Sequence, residues 1–319
     1  MKRKYAYVIS FTLLFACLSI SKELPLILDK QGTFKMLSRA DFTLPDCGFT
    51  KAEMTENLKE LTALVDVMRK NPVLAELKGF EGKARIYNVL CNDRDRYGVP
   101  SRISFEFCSW FVGKNGTPTY GAIEPPEWSL IINKQRVFTI ANFEPDKTYF
   151  TVPSKKETIV PGIDVYDEEI YFVYNPDRPP YWLPLTVGEA FSKMKAYWSS
   201  PSNKNDRFTA DQFLKMIEAE YAATPKADMD KPAHNKGDIG ATADPNFPLI
   251  VRANPDYWNK SLPKSAIQLL SFRMINNRKF LQSRREEALE KNSISYHVYR
   301  FEESLNIDTV KSLLPMIRK

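Results

Sequence analysis

From Arg85 to Tyr174 the chain reads mainly as strands, and this run constrains the fold more than any other feature. Ile103, Phe105, Phe107 and Phe111 fall on one side of an alternating stretch, while Arg102, Ser104 and Glu106 begin the other. A period of two belongs to a pleated strand whose successive side chains point to opposite faces. Trp128 to Asn133 and Arg136 to Ala141 read as neighbouring strands around Lys134–Gln135. Tyr149 to Val152, Ile163 to Tyr166 and Ile170 to Tyr174 add three more, the last two joined by a turn at Asp167–Glu169. Sequential strands with short joins pair antiparallel, because parallel pairs need long crossovers.

Helices flank this region. Thr50 and Glu53 form a capping box, and Met54, Leu58, Leu61, Leu64, Val65 and Met68 recur at helical steps until Asn71-Pro72 stops them. The Gly79–Phe80 turn then switches the period to alternation. Beyond the strands, Pro179-Pro180-Tyr181-Trp182-Leu183-Pro184 dictates an extended connector. It feeds a helix capped by Thr186 and Glu189, and a third helix is expected from a box at Thr209 and Gln212. Residues 223–248 are polar and lack a period, as a long loop does. Strands at Leu249–Arg252 and Ser265–Ile275, a charged helix from Arg278 to Lys291, a strand at Ser295–Phe301 and a helix from Asp308 to Leu314 complete the reading. The expected class is α+β: an antiparallel sheet following an N-terminal amphipathic helix, with further helices and strands in the C-terminal part.

The start of the chain carries an address. Lys2, Arg3 and Lys4 precede an apolar run from Tyr5 to Leu14, and small residues at Ala16, Ser19 and Ser21 come before Lys22–Glu23. That order is a secretory signal peptide over residues 1–21, leaving 22–319 as a single domain with a sub-boundary allowed within 223–248. Cleavage before Lys22 releases a soluble protein. The stretch Leu14-Phe15-Ala16-Cys17 instead resembles a lipobox, in which Cys17 is lipidated and anchors the chain to a membrane. A third reading leaves the segment uncleaved as a membrane anchor, although its apolar run is short of the ~20 residues that span a bilayer comfortably. All three place the protein outside the cytoplasm, in the periplasm, at the cell surface or beyond.

Composition excludes several classes. The formal charge of +6 includes three cations of the signal, and the remaining +3 is too small and dispersed to argue for nucleic acid. Gly numbers 12 against 22 Pro and no Gly-rich phosphate loop occurs, so no nucleotide cofactor is called for. After cleavage Cys47, Cys91 and Cys108 remain. If 85–91 and 101–112 form a hairpin around Arg96, Cys91 faces Ser101 and Cys108 faces Ala84, with the two sulfurs on opposite faces. Buried thiols fit that geometry better than a bridge.

Candidate chemistry is sparse. Asp228, Asp230, His234, Asp238 and Asp244 offer oxygen and imidazole ligands, but their spacing fits neither an EF-hand loop nor a two-His zinc motif, and the only other histidine is His297. Asp164, Asp167, Glu168 and Glu169 could supply the acid–base pair of glycoside hydrolysis, although a hairpin turn would leave most of them solvated and ionised. No Gly-x-Ser-x-Gly elbow is present. Arg273, Arg278, Lys279, Arg284 and Arg285 are followed by Glu286, Glu287 and Glu290, as in a helix laced by its own ion pairs. Aromatics carry the stronger signal. Tyr181 and Trp182 with Arg178, and Tyr257 and Trp258 with Arg252, lie in Pro-containing connectors, where flat rings beside a cation suit sugars, peptides or other ligands. The alternative is that these rings wedge the connectors against the sheet.

Three passages resemble those of uncharacterised exported bacterial envelope proteins. They are Asn71-Pro72-Val73-Leu74 with Gly79-Phe80, Arg178-Pro179 through Trp182-Leu183-Pro184-Leu185-Thr186, and Asn254-Pro255-Asp256-Tyr257-Trp258 with Leu262-Pro263. The resemblance implies an envelope setting and one continuous body, and it transfers no catalytic residue. The sequence thus supports an exported, non-catalytic module that binds an envelope ligand or partner protein. A hydrolase of envelope or dietary polymers and a secreted assembly subunit are the alternatives.

Overall fold

A computed structural model of the protein describes residues 25–39, 48–88, 97–113, 115–120, 125–134, 139–140, 149–167, 169–200, 207–237, 240–274 and 295–317. Residues 1–24, which include Cys17, as well as Cys47, Cys91 and the charged stretch from Arg278 to Lys291, lie outside them.

In chain order the described part begins with β1 (Phe34–Arg39), α1 (Lys51–Met68), α2 (Pro72–Glu76), β2 (Phe80–Asn88) and β3 (Ser101–Val112). Next come β4 (Pro118–Tyr120), β5 (Glu127–Ile132), β6 (Thr139–Ile140), β7 (Tyr149–Val152), β8 (Lys155–Val160), β9 (Ile163–Tyr166) and β10 (Ile170–Tyr174). β11 (Trp182–Pro184), α3 (Val187–Trp198), α4 (Arg207–Ala223), β12 (His234–Asn235) and β13 (Ala241–Thr242) follow. β14 (Leu249–Ala253), β15 (Leu269–Arg273), α5 (Tyr296–Ser304) and α6 (Ile307–Lys311) end it. The class is α+β.

The strands form two sheets. The larger runs β1-β2-β3-β5-β15-β10-β9-β8, with β4 added to β3, and the smaller runs β13-β12-β14-β7-β6, with β11 added to β14. Pairing is antiparallel except between β1 and β2, which run parallel because a helical crossover containing α1 and α2 separates them.

Alternation places the layers. On β10, Val173 joins a core with α1, α2 and α5, whereas Ile170 and Phe172 join a cluster with β7 and β14. On β14, Val251 belongs to that same cluster, whereas Ile250 packs with Val187, Phe191 and Met194 of α3 and Ile217 of α4. Residues one apart on a strand face opposite ways. The order is therefore helices, larger sheet, aromatic seam, smaller sheet, helices. The first core centres on Trp128, whose ring meets those of Phe105, Phe272 and Phe301 at 6.0, 5.3 and 5.3 Å.

Local signals set several elements. Thr50 caps α1 and Thr186 caps α3, each with its Glu returning the bond to the cap. Asn71 does more than stop a helix, since its side chain accepts from the Val73 N–H and opens α2.

Other expectations are corrected. Thr139–Ile140 does not neighbour Trp128–Ile132; it pairs with Thr151 and Phe150 in the smaller sheet, and β15 takes the place beside β5. The β2–β3 register sets Cys108 opposite Glu81, not Ala84, and Cys108 is a buried free thiol. Thr209 lies inside α4, which already includes Arg207, so it is not a cap. Residues 223–248 are not a structureless loop: a short 3-10 turn at Lys226–Asp228 and the β12–β13 hairpin occupy them. Residues 296–304 form a helix rather than a strand, because it is the three-residue step from Val298 to Phe301 that reaches the core.

Candidate functional site

The two aromatic connectors, 77 residues or so apart in the chain by the numbers of Tyr181 and Trp258, are fastened together by backbone. Asn254 uses its side-chain oxygen to accept from the Asp256 N–H at 3.0 Å, capping the short helix Pro255–Tyr257. Its Nδ2 donates to the Pro180 carbonyl at 2.8 Å, and its backbone N–H donates to the Tyr181 carbonyl at 2.7 Å. Arg178 completes the clamp. Its Nε donates to the Tyr257 carbonyl at 2.7 Å, and its Nη2 donates to those of Asp256 and Trp258 at 2.7 and 3.0 Å.

The rings of both pairs consequently meet. Tyr181 sits edge-on to Tyr257 and Trp258, with centroids 5.0 and 6.1 Å apart, and 4.5 Å from Trp182. Their environments differ. Tyr257 and Trp258 are buried, and the Tyr257 hydroxyl donates to the Gln268 carbonyl at 2.5 Å. Burial drives that phenol far above its ordinary pKa, so it remains a neutral donor. Tyr181 and Trp182 are only half-buried and form part of a cavity wall. Arg252 stands apart: Val251 lines the cavity, and the adjacent Arg252 is exposed opposite Leu183 and Tyr149.

The cavity measures about 610 Å³ and lies in the seam between the sheets. One wall is Asp164 and Tyr166 of β9 with Phe172 and Tyr174 of β10; the facing wall is Leu249 and Val251 of β14 with Val152 of β7. The connector contributes Pro176, Arg178, Pro180, Tyr181, Trp182 and Pro184, and Pro245, Phe247 and His234 stand at another side. Sites for small molecules are concave, roughly 300–1,000 Å³, mostly apolar and set with a few polar groups, which describes this space.

Asp164 supplies the most organised polar group. Thr158 Oγ1 donates to one oxygen at 2.6 Å, and the Tyr174 hydroxyl donates to the other at 3.0 Å. Lys155 Nζ is 3.7 Å away. The Tyr174 phenol is pushed up to about 12, first by burial and then by the Asp164 charge, which keeps it a donor. Burial raises Tyr166 further still. Opposite, His234 Nδ1 lies 2.6 Å from the Phe247 carbonyl and must carry the proton, since a carbonyl only accepts.

The other acidic candidates are dispersed. Asp167 is exposed at its turn, Glu169 pairs with Lys156 at 2.8 Å, and Glu168 lies outside the described residues. Of the polar 223–248 series, Asp228 pairs with Lys231, Asp244 accepts from the Asn246 N–H, and Asp238 is outside the description. Among the described residues no group of three or more His, Cys, Asp or Glu side chains could hold a metal ion, and no helix is long and apolar enough to cross a membrane. Sequence reasoning missed Tyr166, Phe172, Tyr174 and Phe247. The signal available for the first three was a pair of strands with large residues on both faces, which marks a sheet covered on both sides. The chain matches no protein-family model, and neither characterised proteins nor solved structures show significant similarity to it.

Proposed function

We propose that this chain is a non-catalytic ligand-binding module of an exported envelope protein, and that the cavity in the aromatic seam is its site. The carrying observation is that the half-buried rings Tyr181 and Trp182 are held in the cavity wall by hydrogen bonds from Arg178 and Asn254. A wall ordered in advance binds with less entropy lost on association. The carboxylates favour binding over hydrolysis. A glycosidase pair stands roughly 5–10 Å apart across the scissile bond, and Asp164 is the one carboxylate among the described residues lining the cavity.

The test is thermal unfolding of the mature protein with muropeptides, chitooligosaccharides and long-chain carboxylic acids added in turn, for wild type and for Trp182→Ala. We expect at least one class to raise Tm by a few degrees in wild type and by much less in the variant. Absence of any shift across the panel would remove the proposal. Export has its own readout in the mass of the mature N-terminus recovered from the producing cell. An acylated Cys17 or a free Lys22 supports it, and a retained Met1 on protein recovered from the cytoplasmic fraction opposes it.

A further inference from the structure

The charges around the cavity do not balance. Asp164 is the one carboxylate among the described lining residues, and it is already answered by two hydroxyl donors and by Lys155 at 3.7 Å. Arg178 also lines the cavity, and no carboxylate among the described residues pairs with it. Its Nε and Nη2 donate to three backbone carbonyls, which orient the guanidinium without cancelling its charge. Its Nη1, with two further N–H donors, has no hydrogen-bond partner among the described residues. Asp177 and Asp256 neighbour this clamp in space or sequence but do not line the cavity.

Arg178 is partly exposed and its Nη1 is open to solvent, so an incoming anion can reach it, and a guanidinium forms its strongest hydrogen bonds to carboxylates and phosphates. In the same cavity Phe172, Trp182, Leu249 and Val251 offer apolar surface. Resting on the reading of the cavity as the ligand site, we infer that its ligand is an anionic amphiphile: a carboxylate or phosphate, met by Arg178, on an apolar body packed against these side chains. A neutral sugar leaves the Arg178 charge unanswered, and a quaternary ammonium meets repulsion. The volume admits an acyl chain of moderate length.

The experiment compares four probes on the wild-type mature protein, below their micelle concentrations: 11-bromoundecanoate, 11-bromoundecyl phosphate, 11-bromoundecanol and 11-bromoundecyltrimethylammonium. Bromine quenches nearby tryptophan, so binding is read as loss of fluorescence, with calorimetry alongside. We expect one or both anions to bind at least tenfold more tightly than the alcohol, the cation to bind most weakly, and anion affinity to fall with added salt. The tighter anion identifies the head group. Trp182→Phe keeps a ring in the wall and is expected to lose most of the quenching, and to weaken calorimetric binding by less than Trp182→Ala does. An alcohol as tight as both anions would overturn the anionic ligand and leave the cavity as the site. Quenching unchanged in Trp182→Phe would place binding elsewhere and overturn both. The probe comparison needs no variant at Arg178, whose loss would also release the connector.

Discussion

At the scale of single residues, buried polar groups carry the sharpest consequences. His297 is buried against Phe80, with ring centroids 4.6 Å apart, and a side chain at Gly79 would come within 2.7 Å of its ring. Gly79 also has φ +85, so both space and backbone conformation require glycine there. Burial, with Arg300 adding repulsion, depresses the His297 pKa to about 4. The folded state thus favours neutral imidazole, so its contribution is complete above the unfolded value near 6.5 and is lost as pH falls towards 4. The loss is about 3 kcal/mol. Urea unfolding at pH 7.5 and 4.5 should show a larger acid penalty for wild type than for His297→Leu, and equal penalties would disprove the assignment. Asn133 is a second case. It adopts φ +51, its Nδ2 donates to the Val99 and Ala266 carbonyls, and its Oδ1 accepts from the Gln268 and Leu269 N–H groups. Asn133→Ala strands these buried groups and should cost about 3 kcal/mol in the same assay. The sequence showed a strand end and a turn at this position. It could not show that the side chain ties together segments more than a hundred residues apart.

At the scale of elements, the connectors hold the interest. Each was legible from its prolines and aromatics, because proline restricts backbone choice locally. That the two lock onto one another was not legible, since the bonds run from Asn254 to Pro180 and from Arg178 to residues 256–258. Asn254→Ala removes the cap and leaves the Pro180 carbonyl without that donor. We expect about 2 kcal/mol of lost stability and weaker binding of whichever probe the wild type takes, while Arg252→Ala, outside the cavity, should leave affinity within twofold. Equal effects of the two substitutions on affinity would show that the clamp does not shape the site. Elements also explain the errors of prediction. Ser295–Phe301 is rich in β-favouring residues, yet a short apolar run cannot settle its own period, and the core receives it as a helix. The polar stretch before Leu249 gains its hairpin because β14 offers an edge to His234.

At the scale of the whole molecule, the seam decides how the protein behaves. Phe150, Val152 and Val251 from the smaller sheet share one buried cluster with Ile170, Phe172 and Leu269 from the larger. Separating the sheets exposes that surface, so the two cores should unfold together. Tryptophan fluorescence and far-ultraviolet circular dichroism should trace one coincident urea transition. Two resolved transitions would mean that each core stands alone. The cavity belongs to this scale as well, for its walls come from strands, connector and hairpin that are remote in sequence.

The sequence by itself determined the parts whose causes are local. Alternation marked β3, β5, β9 and β10, capping boxes marked α1 and α3, and the proline–aromatic runs marked the connectors. Side-chain periodicity, caps and proline act over a few residues, so they are written where they operate. Tertiary structure alone decided that β15 sits beside β5, that β6 crosses to the second sheet, and that Asp164, Arg178 and Trp182 border one cavity. Those outcomes depend on which apolar faces find each other across the chain, and burial rewards a face for being covered without recording in its own residues what covers it.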